Sequence, residues 1–576
     1  MCGIIALSAR PFTRPVPSAT DILARLDAAV NCGSDIVAAT TQVAAVNELL
    51  KGVPGVMALA GNRELISGIE SRLARLDATI ATADTALETA SLDPERLEAA
   101  AAELIAARDA VWSIGRDRLR TARAVADLAG RDAGVATLSG YLMIQQAFAA
   151  IDRMEVRGRD SAGIHVFVWG HGLGESDLRT ALDARATDPL FQSGSVRWID
   201  GVLSFVYKAA AEIGELGDNT KVMRDAVRTD DLLRRALSHP GARTSLVGHT
   251  RWASVGIISE PNAHPVNSER SLADAERPYV IAALNGDVDN HADLRIMHGL
   301  SFPGQITTDA KVIPALVTKH RQDCGDTPEA FRRTVASFEG SVAIAAAATD
   351  DPERLLLALH GSGQGLFVGL AEDLFIVASE PYGVVEETNR YFRLDGEGAG
   401  AGQIVVLDGR RAGELDGVER IGYDGSMIPV DDRTLITAEV TTRDIDRGDS
   451  PHFLLKEIGE APESFRKTLR GKIVEVDGRL VATVGARSLP DDIRRRLADG
   501  TIDKVRVIGQ GTAAIAGRSC ASVLDELCGG ELDVDPITAT ELSGFNLRLD
   551  MSDTLIVAVS QSGTTTDTNR TVDLAR

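Results

Sequence analysis

The hydrophobic positions of the first quarter of the chain follow a helical period. From Leu65 to Leu87, apolar side chains return every three or four positions, which places them on one face of a long helix. A second run of similar spacing begins at Leu97 and passes through Leu104 and Val111. Two such helices joined by a short turn predict a helical hairpin that buries the two apolar faces together. We place it in an insertion at residues 11–137, which is either a packed arm or a surface for oligomerisation or partner docking.

The last 75 residues show a different pattern, in which short apolar runs alternate with helical stretches. The runs 504–508 and 554–559 read as buried strands, and each is followed by a polar loop that contains glycine and then by a helical pattern. This order is typical of parallel sheets that bind phosphate at the N-terminus of a helix. The pattern therefore predicts an α/β protein whose final part begins a Rossmann-like parallel sheet.

Composition narrows the classes of partner and compartment. A chain of 576 residues is long enough for about three or four domains. Its net charge of −22 argues against non-specific binding to nucleic acid. It has no apolar run long enough to cross a bilayer and no basic-then-apolar leader, so we predict a cytoplasmic protein without membrane contact. The five cysteines form no C-x-x-C pair and no zinc-like cluster, which favours reduced thiols.

The start of the chain, Met1-Cys2-Gly3, offers a candidate nucleophile. If Met1 is removed, Cys2 carries both a thiol and a free α-amine. A thiolate is the attacking form of cysteine, and an α-amine titrates near neutral pH, close enough to accept the thiol proton. Taken alone, a Met-Cys start is more simply explained by a small residue at the beginning of a strand. The hypothesis that Cys2 is a nucleophile therefore depends on motifs further along the chain.

Those motifs resemble the class II glutamine amidotransferases. The motif R-G-R-D-S-A-G at 157–163 precedes a strand, as a similar motif does in that family. In family order there follow G-H-T-R-W-A-S at 248–254, N-A-H-P at 262–265, L-N-G-D at 284–287 and T-T-D at 307–309. The resemblance implies an N-terminal-nucleophile hydrolase fold, an αββα sandwich, at 1–10 and 138–420, with Gln403–Leu407 as its last strand.

The resemblance also implies roles for these residues in glutamine cleavage. Cys2 attacks the carboxamide, and Asn285 with the main-chain N–H of Gly286 donates to the oxyanion, at roughly 3 kcal/mol per well-placed donor. Arg251 pairs with the substrate α-carboxylate and Asp309 with its α-ammonium. The remaining glutamine-binding positions are Trp252, Ser254 and His264.

Each of these residues has a plainer explanation when it is taken alone. Arg251 fits a surface ion pair, Asn285-Gly286 fits a hairpin turn, and Asp309 fits a helix cap. Their occurrence in family order behind Cys2 favours the catalytic interpretation. One departure is Val255, which stands where the family commonly has a histidine and cannot replace an imidazole.

The final 76 residues resemble the opening of the sugar isomerase (SIS) domain, and residues 444–473 resemble the junction before that domain in the glutamine:fructose-6-phosphate aminotransferase family. A generic amphipathic helix between domains is the alternative for the segment taken alone, but the order of the domains favours the specific resemblance, and we treat 421–500 as a linker. The resemblance implies hexose-phosphate contacts from residues of two loops, namely Thr512, Ser560, Gln561, Ser562 and Thr565. Ala513 stands where the family often has a serine.

A SIS domain needs about 130 residues or more, so we expect 501–576 to be an incomplete one and the chain to be a fragment. The predicted function is glutamine-dependent synthesis of glucosamine-6-phosphate from fructose-6-phosphate, by a homo-oligomer assembled through the insertion or the SIS part. No metal or organic cofactor is implied. Two alternatives stay open: another class II amidotransferase, of the asparagine-synthetase or phosphoribosyl-amine kind, and a non-catalytic sugar-phosphate sensor.

Overall fold

The computed structural model describes residues 2–576 except 89, 91, 93, 131–132, 184, 187, 189, 211–214, 271–276, 362, 397–401, 439, 449, 471, 484–487, 562 and 564. The chain forms two compact units, Met1–Thr89 with Ala100–Ala461, and Ala90–Ala99 with Pro462–Arg576.

Helices occur along the whole chain. In chain order they are α1 (Ala19–Asn31), α2 (Ile36–Leu50), α3 (Gly52–Leu59), α4 (Arg63–Glu88), α5 (Pro94–Trp112), α6 (Leu119–Ala129), α7 (Val135–Met154), α8 (Glu175–Leu182), α9 (Asp218–Thr229), α10 (Asp231–Ser238), α11 (His291–His298), α12 (Val312–Cys324), α13 (Thr327–Val335), α14 (Phe453–Leu469), α15 (Asp491–Ala498), α16 (Thr512–Cys528), α17 (Ala539–Glu541) and α18 (Thr566–Ala575). None of the described helices is long and apolar enough to span a membrane.

The strands of the first unit are β1 (Gly3–Ala9), β2 (Ser161–Trp169), β3 (Val196–Ile199), β4 (Val202–Ala209), β5 (Arg243–Arg251), β6 (Val266–Asn267), β7 (Val280–Gly286), β8 (Val342–Ala348), β9 (Arg354–His360), β10 (Phe367–Leu370), β11 (Leu374–Ala378), β12 (Arg390–Arg393), β13 (Gln403–Asp408), β14 (Val418–Gly422), β15 (Met427–Ile428) and β16 (Ile436–Thr437). Among the described residues they form two antiparallel sheets, in the orders β16-β12-β10-β11-β1-β5-β2-β4-β3 and β15-β14-β13-β9-β8-β7-β6.

The central strand β1 shows how the layers are built. Successive side chains of a strand point to opposite faces. Ile4 and Ala6 are buried in the layer between the two sheets, whereas Ile5 and Leu7 are buried against the helical layer that contains α7. On the far side of the second sheet, α12 and α13 cover the other faces of β7 and β8. The order helix, sheet, sheet, helix confirms the predicted αββα sandwich.

The sheets continue past residue 420, where the sequence placed the end of this domain. β13 is not the last strand, because β14 pairs with it from Val418 to Gly422 and β15 pairs with β14. β16 then joins the edge of the other sheet beside β12. The short run Val418–Gly422 gave no strand pattern, because its buried positions include Arg420 and Gly422, so apolar residues and buried positions do not coincide.

The inserted segment contains more helices than the predicted hairpin. The apolar face of α4 from Leu65 to Leu87 is buried as its spacing predicts. In addition, α1 packs beside α4, where Arg72 pairs with Asp27 at 2.8 Å. α3 and α6 join the helical layer over the first sheet through Val56 and Leu128. The hairpin is therefore one part of a larger helical layer that is continuous with the core.

The second unit contains the hairpin β17 (Ile473–Val476) and β18 (Arg479–Ala482) and a parallel sheet with the order β20-β19-β21. The strands of that sheet are β19 (Lys504–Gly509), β20 (Asp533–Thr538) and β21 (Thr554–Ala558). Val505 and Val507 of β19 are buried under α16. The predicted opening of a parallel α/β sheet is thus present.

Candidate active site

Cys2 lies at the start of β1, beside the end of β5. The neighbouring Gly3 is in register with Thr250. The Cys2 Sγ accepts a hydrogen bond from the main-chain N–H of Trp252 at 3.2 Å and lies 3.3 Å from the oxygen of the same residue. Burial raises the pKa of the Cys2 thiol, against the lowering effects of the Trp252 hydrogen bond and the Arg251 charge. The thiol therefore needs a base to attack at neutral pH.

Asn285, at the end of β7 in the other sheet, reaches across to Cys2. Its Nδ2 donates to the main-chain oxygen of Cys2 at 2.9 Å, and its Oδ1 lies 3.0 Å from the Nε2 of His249. Because an amide has two Nδ2 hydrogens, one remains for a ligand beside the thiol. Burial lowers the pKa of His249 to about 3, so this imidazole is neutral and orients the amide.

Gly286 follows in a conformation that only glycine adopts readily. Its φ is +89°, and a Cβ at this position would stand 1.9 Å from the main-chain oxygen of Ser341. The close approach of these two chain segments therefore requires the absence of a side chain. This requirement explains the glycine independently of any role in catalysis.

Arg251 ends β5 with its guanidinium buried and 3% of its surface exposed. Within the described part of the chain, its hydrogen bonds go to main-chain carbonyls, those of Val255 and, at 3.4 Å, Ile257. Burial lowers the pKa of Arg251 from its usual value, against the raising effects of Cys2, Asp309 and Asp160 nearby. A buried cation that is held by carbonyls, and that forms no ion pair with a carboxylate among the described residues, is suited to bind an anionic group of a ligand.

Asp309 supplies the opposite charge. Its Oδ2 accepts the main-chain N–H of Val288 at 2.8 Å, and burial raises its pKa, with Asp287 adding to the effect. A carboxylate that is poorly solvated and close to a second carboxylate gains from a neighbouring ammonium. Arg251 and Asp309 thus offer the charge pair that an α-amino acid needs.

His264 and Ser254 hold the loops around these charges. The His264 Nε2 lies 3.0 Å from the Oγ1 of Thr308, its ring is 4.6 Å from that of His249, and burial keeps its pKa well below the usual value. His264 is therefore a neutral support for the 307–309 segment. The Ser254 Oγ donates to Asp287 at 2.6 Å.

Trp252 and Val255 contribute chiefly through their main chains. The side chain of Trp252 is 59% exposed, while its N–H holds the thiol of Cys2. The oxygen of Val255 accepts from Arg251, so the residue that departs from the family pattern has a main-chain role.

Sequence reasoning did not assign three residues that shape the site. Asp160 accepts the N–H of Ala253 at 2.8 Å, and the Oδ1 of Asn262 accepts the N–H groups of Thr307 and Thr308 at 2.7 and 2.9 Å. His249 orients Asn285. All three lie inside the quoted motifs, so the signal was present in the sequence, but it did not indicate which chain segments they join.

The predicted sugar-phosphate residues lie in the second unit, after the carboxyl ends of neighbouring parallel strands. Thr512 is the first residue of α16, which follows β19, and the loop after β21 contains Ser560, Gln561 and Thr565. The Oγ of Ser560 accepts the N–H of Gly563 at 3.0 Å. Ser562 lies outside the described residues. The structure brings the two loops to one edge of the sheet, as the pattern predicts.

The described residues contain no group of three or more His, Cys, Asp or Glu side chains able to hold a metal ion.

Comparison with known proteins identifies relatives for most of the chain. No family model matches the sequence. The glutamine–fructose-6-phosphate aminotransferase [isomerizing] of Streptococcus pneumoniae serotype 4 is 27% identical over 423 residues, covering 73% of this chain and 56% of the relative. The protein of the same name from Oceanobacillus iheyensis is 30% identical over 361 residues, covering 62% and 54%.

A solved glutamine phosphoribosylpyrophosphate amidotransferase from Bacillus subtilis covers 49% of this chain and 47% of its own, at 16% identity and a TM-score of 0.31, too low to support an inference. The chain spans about half the length of the curated relatives it matches. The resemblance inferred from the motifs is confirmed, and the chain is a homologue of the glutamine–fructose-6-phosphate aminotransferases.

Proposed function

We propose that the first unit hydrolyses glutamine and that the chain takes part in making glucosamine-6-phosphate from glutamine and fructose-6-phosphate. One observation carries the glutaminase part: the thiol of Cys2 and the amide of Asn285 meet from two different sheets beside a buried arginine that, in the part of the chain that the structure describes, forms no ion pair with a carboxylate. The names of the curated relatives, glutamine–fructose-6-phosphate aminotransferases, support fructose-6-phosphate as the acceptor of the ammonia.

Glutamine is held at both ends of its α-amino acid group. The guanidinium of Arg251 binds the α-carboxylate, and Asp309 binds the α-ammonium. Burial raises the pKa of Asp309, and the nearby ammonium favours its charged form again. Ser254, through Asp287, and His264, through Thr308, keep the surrounding loops in place.

The chemical step begins once Met1 is removed and the α-amine of Cys2 is free. That amine takes the thiol proton, Sγ forms a bond to the carboxamide carbon, and the carbonyl oxygen becomes an oxyanion. The second Nδ2 hydrogen of Asn285 and the N–H of Gly286 stabilise that oxyanion. Collapse of the intermediate breaks the C–N bond, the amine returns the proton to the departing ammonia, and a thioester remains. Water then cleaves the thioester and releases glutamate.

In the second unit, Thr512 and the loop with Ser560, Gln561, Ser562 and Thr565 bind the phosphate of the hexose. The first turns of α16 and α18 add main-chain N–H groups and the positive end of each helix. The departing ammonia is the nitrogen donor for that sugar. We divide the chain accordingly into the amidotransferase domain with its insertion, the linker and the SIS part.

Glutamate release by the purified full chain tests the glutaminase proposal. Cys2→Ala should abolish release, whereas Cys324→Ala, which removes a thiol far from β1, should leave it intact. Intact mass must show in parallel that Met1 has been removed. A protein with a free Cys2 amine that releases no glutamate would contradict the proposal.

The rise in melting temperature that fructose-6-phosphate causes tests the proposed phosphate site of the second unit. Ser560→Ala should reduce the shift, and Ser519→Ala, on the body of α16, should not. A shift without glutamate release would favour the sugar-phosphate sensor. Homo-oligomerisation and a cytoplasmic location stay predictions, the first of which light scattering of the purified chain decides.

A further inference from the structure

A second cavity lies in the first unit, next to the turn that leads into the glutamine site. Its volume is about 620 Å³, and its wall comes from α6, α7, α9 and residues 442–453. None of the residues assigned to glutamine binding lines it. Its size is typical of sites for small molecules.

The wall of this cavity is rich in positive charge, although the chain as a whole carries −22. Six basic side chains line it against four acidic ones. The basic ones are Arg120, Arg153, Lys221, Arg224, Arg228 and Arg447. A local excess of positive charge on an acidic protein attracts a specific anion without favouring polyanions in general.

Some of these bases are already committed to carboxylates. Arg153 pairs with Glu386 at 2.5 Å, Arg228 with Asp127 at 2.7 Å, and Arg224 with Asp152 at 3.2 Å. The guanidinium of Arg224 also lies 4.7 Å from the ring centre of Phe148. The charges of these three residues are therefore largely neutralised.

The other three bases are less tightly paired with carboxylates. Lys221 is exposed and has neither an ion pair nor a hydrogen bond within the described part of the chain. Arg447 donates at 2.5 Å to the main-chain oxygen of Pro451, and Arg120 forms two longer ion pairs, with Asp446 at 3.5 Å and with Asp117 at 4.0 Å. Charged donors left in this state around a cavity are available to an anionic ligand.

One of the four acidic residues, Glu155, also carries less negative charge near neutral pH than an ordinary glutamate. Burial, with Asp152 and Asp218 nearby, raises the pKa of Glu155 to about 7. The Glu155 Oε2 accepts the N–H of Gly217 at 2.5 Å. Near neutral pH this carboxyl is partly protonated, which increases the positive excess of the wall.

We propose that this cavity binds a phosphorylated small molecule, with Lys221, Arg447 and Arg120 holding its phosphate. Guanidinium and ammonium groups are the side chains that bind phosphate most strongly. A concave site of this volume accommodates a small molecule rather than a protein or a nucleic acid. The site is distinct from the phosphate-binding loops of the second unit, and it does not depend on glutamine hydrolysis.

Calorimetry of the full chain with pyrophosphate tests the proposal, at constant ionic strength, together with hydrogen exchange of the same sample. Binding should protect main-chain amides of α9 and of residues 442–448. Lys221→Glu should weaken binding about tenfold or more, since a charge-assisted contact is lost and a repulsive one added. Because Lys221 is exposed and unpaired, this variant should fold normally.

Arg235→Glu is the matched control, because it makes the same charge change on α10, outside the cavity wall. It should bind pyrophosphate as the unchanged protein does. Absence of binding at millimolar concentration would overturn the proposal. Binding that survives Lys221→Glu, or protection confined to residues 560–565, would overturn it as well.

Discussion

The side-chain nitrogen of Asn285 lies 2.9 Å from the main-chain oxygen of Cys2, a contact that joins two residues 283 positions apart. Cys2 begins the central strand of one sheet, and Asn285 ends β7 of the other. The packing of the two sheets therefore fixes the distance between Cys2, the proposed nucleophile, and Asn285, the proposed oxyanion donor. A site built on strands of a rigid core holds such a distance more precisely than one built on mobile loops.

Asn285→Ala should lower kcat for glutamate release by about 10²- to 10³-fold, because it removes a donor to the oxyanion. Steady-state glutaminase assays with both proteins measure the effect. Asn290→Ala is the control, since it removes an amide that bonds to the oxygen of Ser337 at 2.9 Å, away from Cys2. Equal kcat values for the unchanged protein and Asn285→Ala would exclude the assigned role.

Gly286→Ala should destabilise the first unit by about 3 kcal/mol or more, because the added Cβ would overlap the oxygen of Ser341 and the φ of +89° is strained for alanine. Gly299→Ala isolates the conformational part of that cost, because Gly299 has a φ of +62° and its added Cβ would meet no atom within 4 Å. It should cost only about 1 kcal/mol. Urea unfolding of both variants measures the difference, and equal costs would contradict the predicted overlap.

The sequence predicted the layers of the fold and the residue types of the site, but not the contacts between them. The period of α4 and the apolar run of β1 are local, so both could be read directly. The Asn285–Cys2 contact arises from sheet packing, which no local pattern encodes. The role of Val255 could not be predicted either, since it comes from the carbonyl, which every residue has. The sequence analysis also missed the contribution of α3 and α6 to the helical layer over β1, because helix packing, like sheet packing, is not encoded in a local pattern.

Arg251→Lys should raise the KM for glutamine by about tenfold or more with a smaller effect on kcat, because an ammonium cannot form the two parallel hydrogen bonds of a guanidinium with a carboxylate. Initial rates over a range of glutamine concentrations separate the two constants. Arg243→Lys makes the same change at the other end of β5, where the guanidinium bonds to Ala242. A larger fall in kcat than rise in KM would assign Arg251 to the chemical step instead.

His165 should make the folded state sensitive to acid. It is buried on β2, its Nε2 lies 2.7 Å from the Oγ of Ser204, and burial, with Lys208 nearby, lowers its pKa to about 3. In the unfolded chain a histidine titrates near 6.5. Below that pH the unfolded state therefore binds a proton that the folded state does not.

The stabilisation that the neutral imidazole of His165 gives is complete above about pH 6.5 and is lost progressively as the pH falls toward 3. Between about pH 7.5 and pH 5, the loss amounts to about 2 kcal/mol. His165→Gln has no titrating ring, so the difference in unfolding free energy between the unchanged protein and this variant should shrink by that amount over the same range. Urea unfolding at several pH values measures it, with the exposed His452→Gln as the control variant. A difference that stays constant with pH would mean that His165 titrates equally in the folded and unfolded states, and a difference that grows as the pH falls would mean that His165 is protonated in the folded protein.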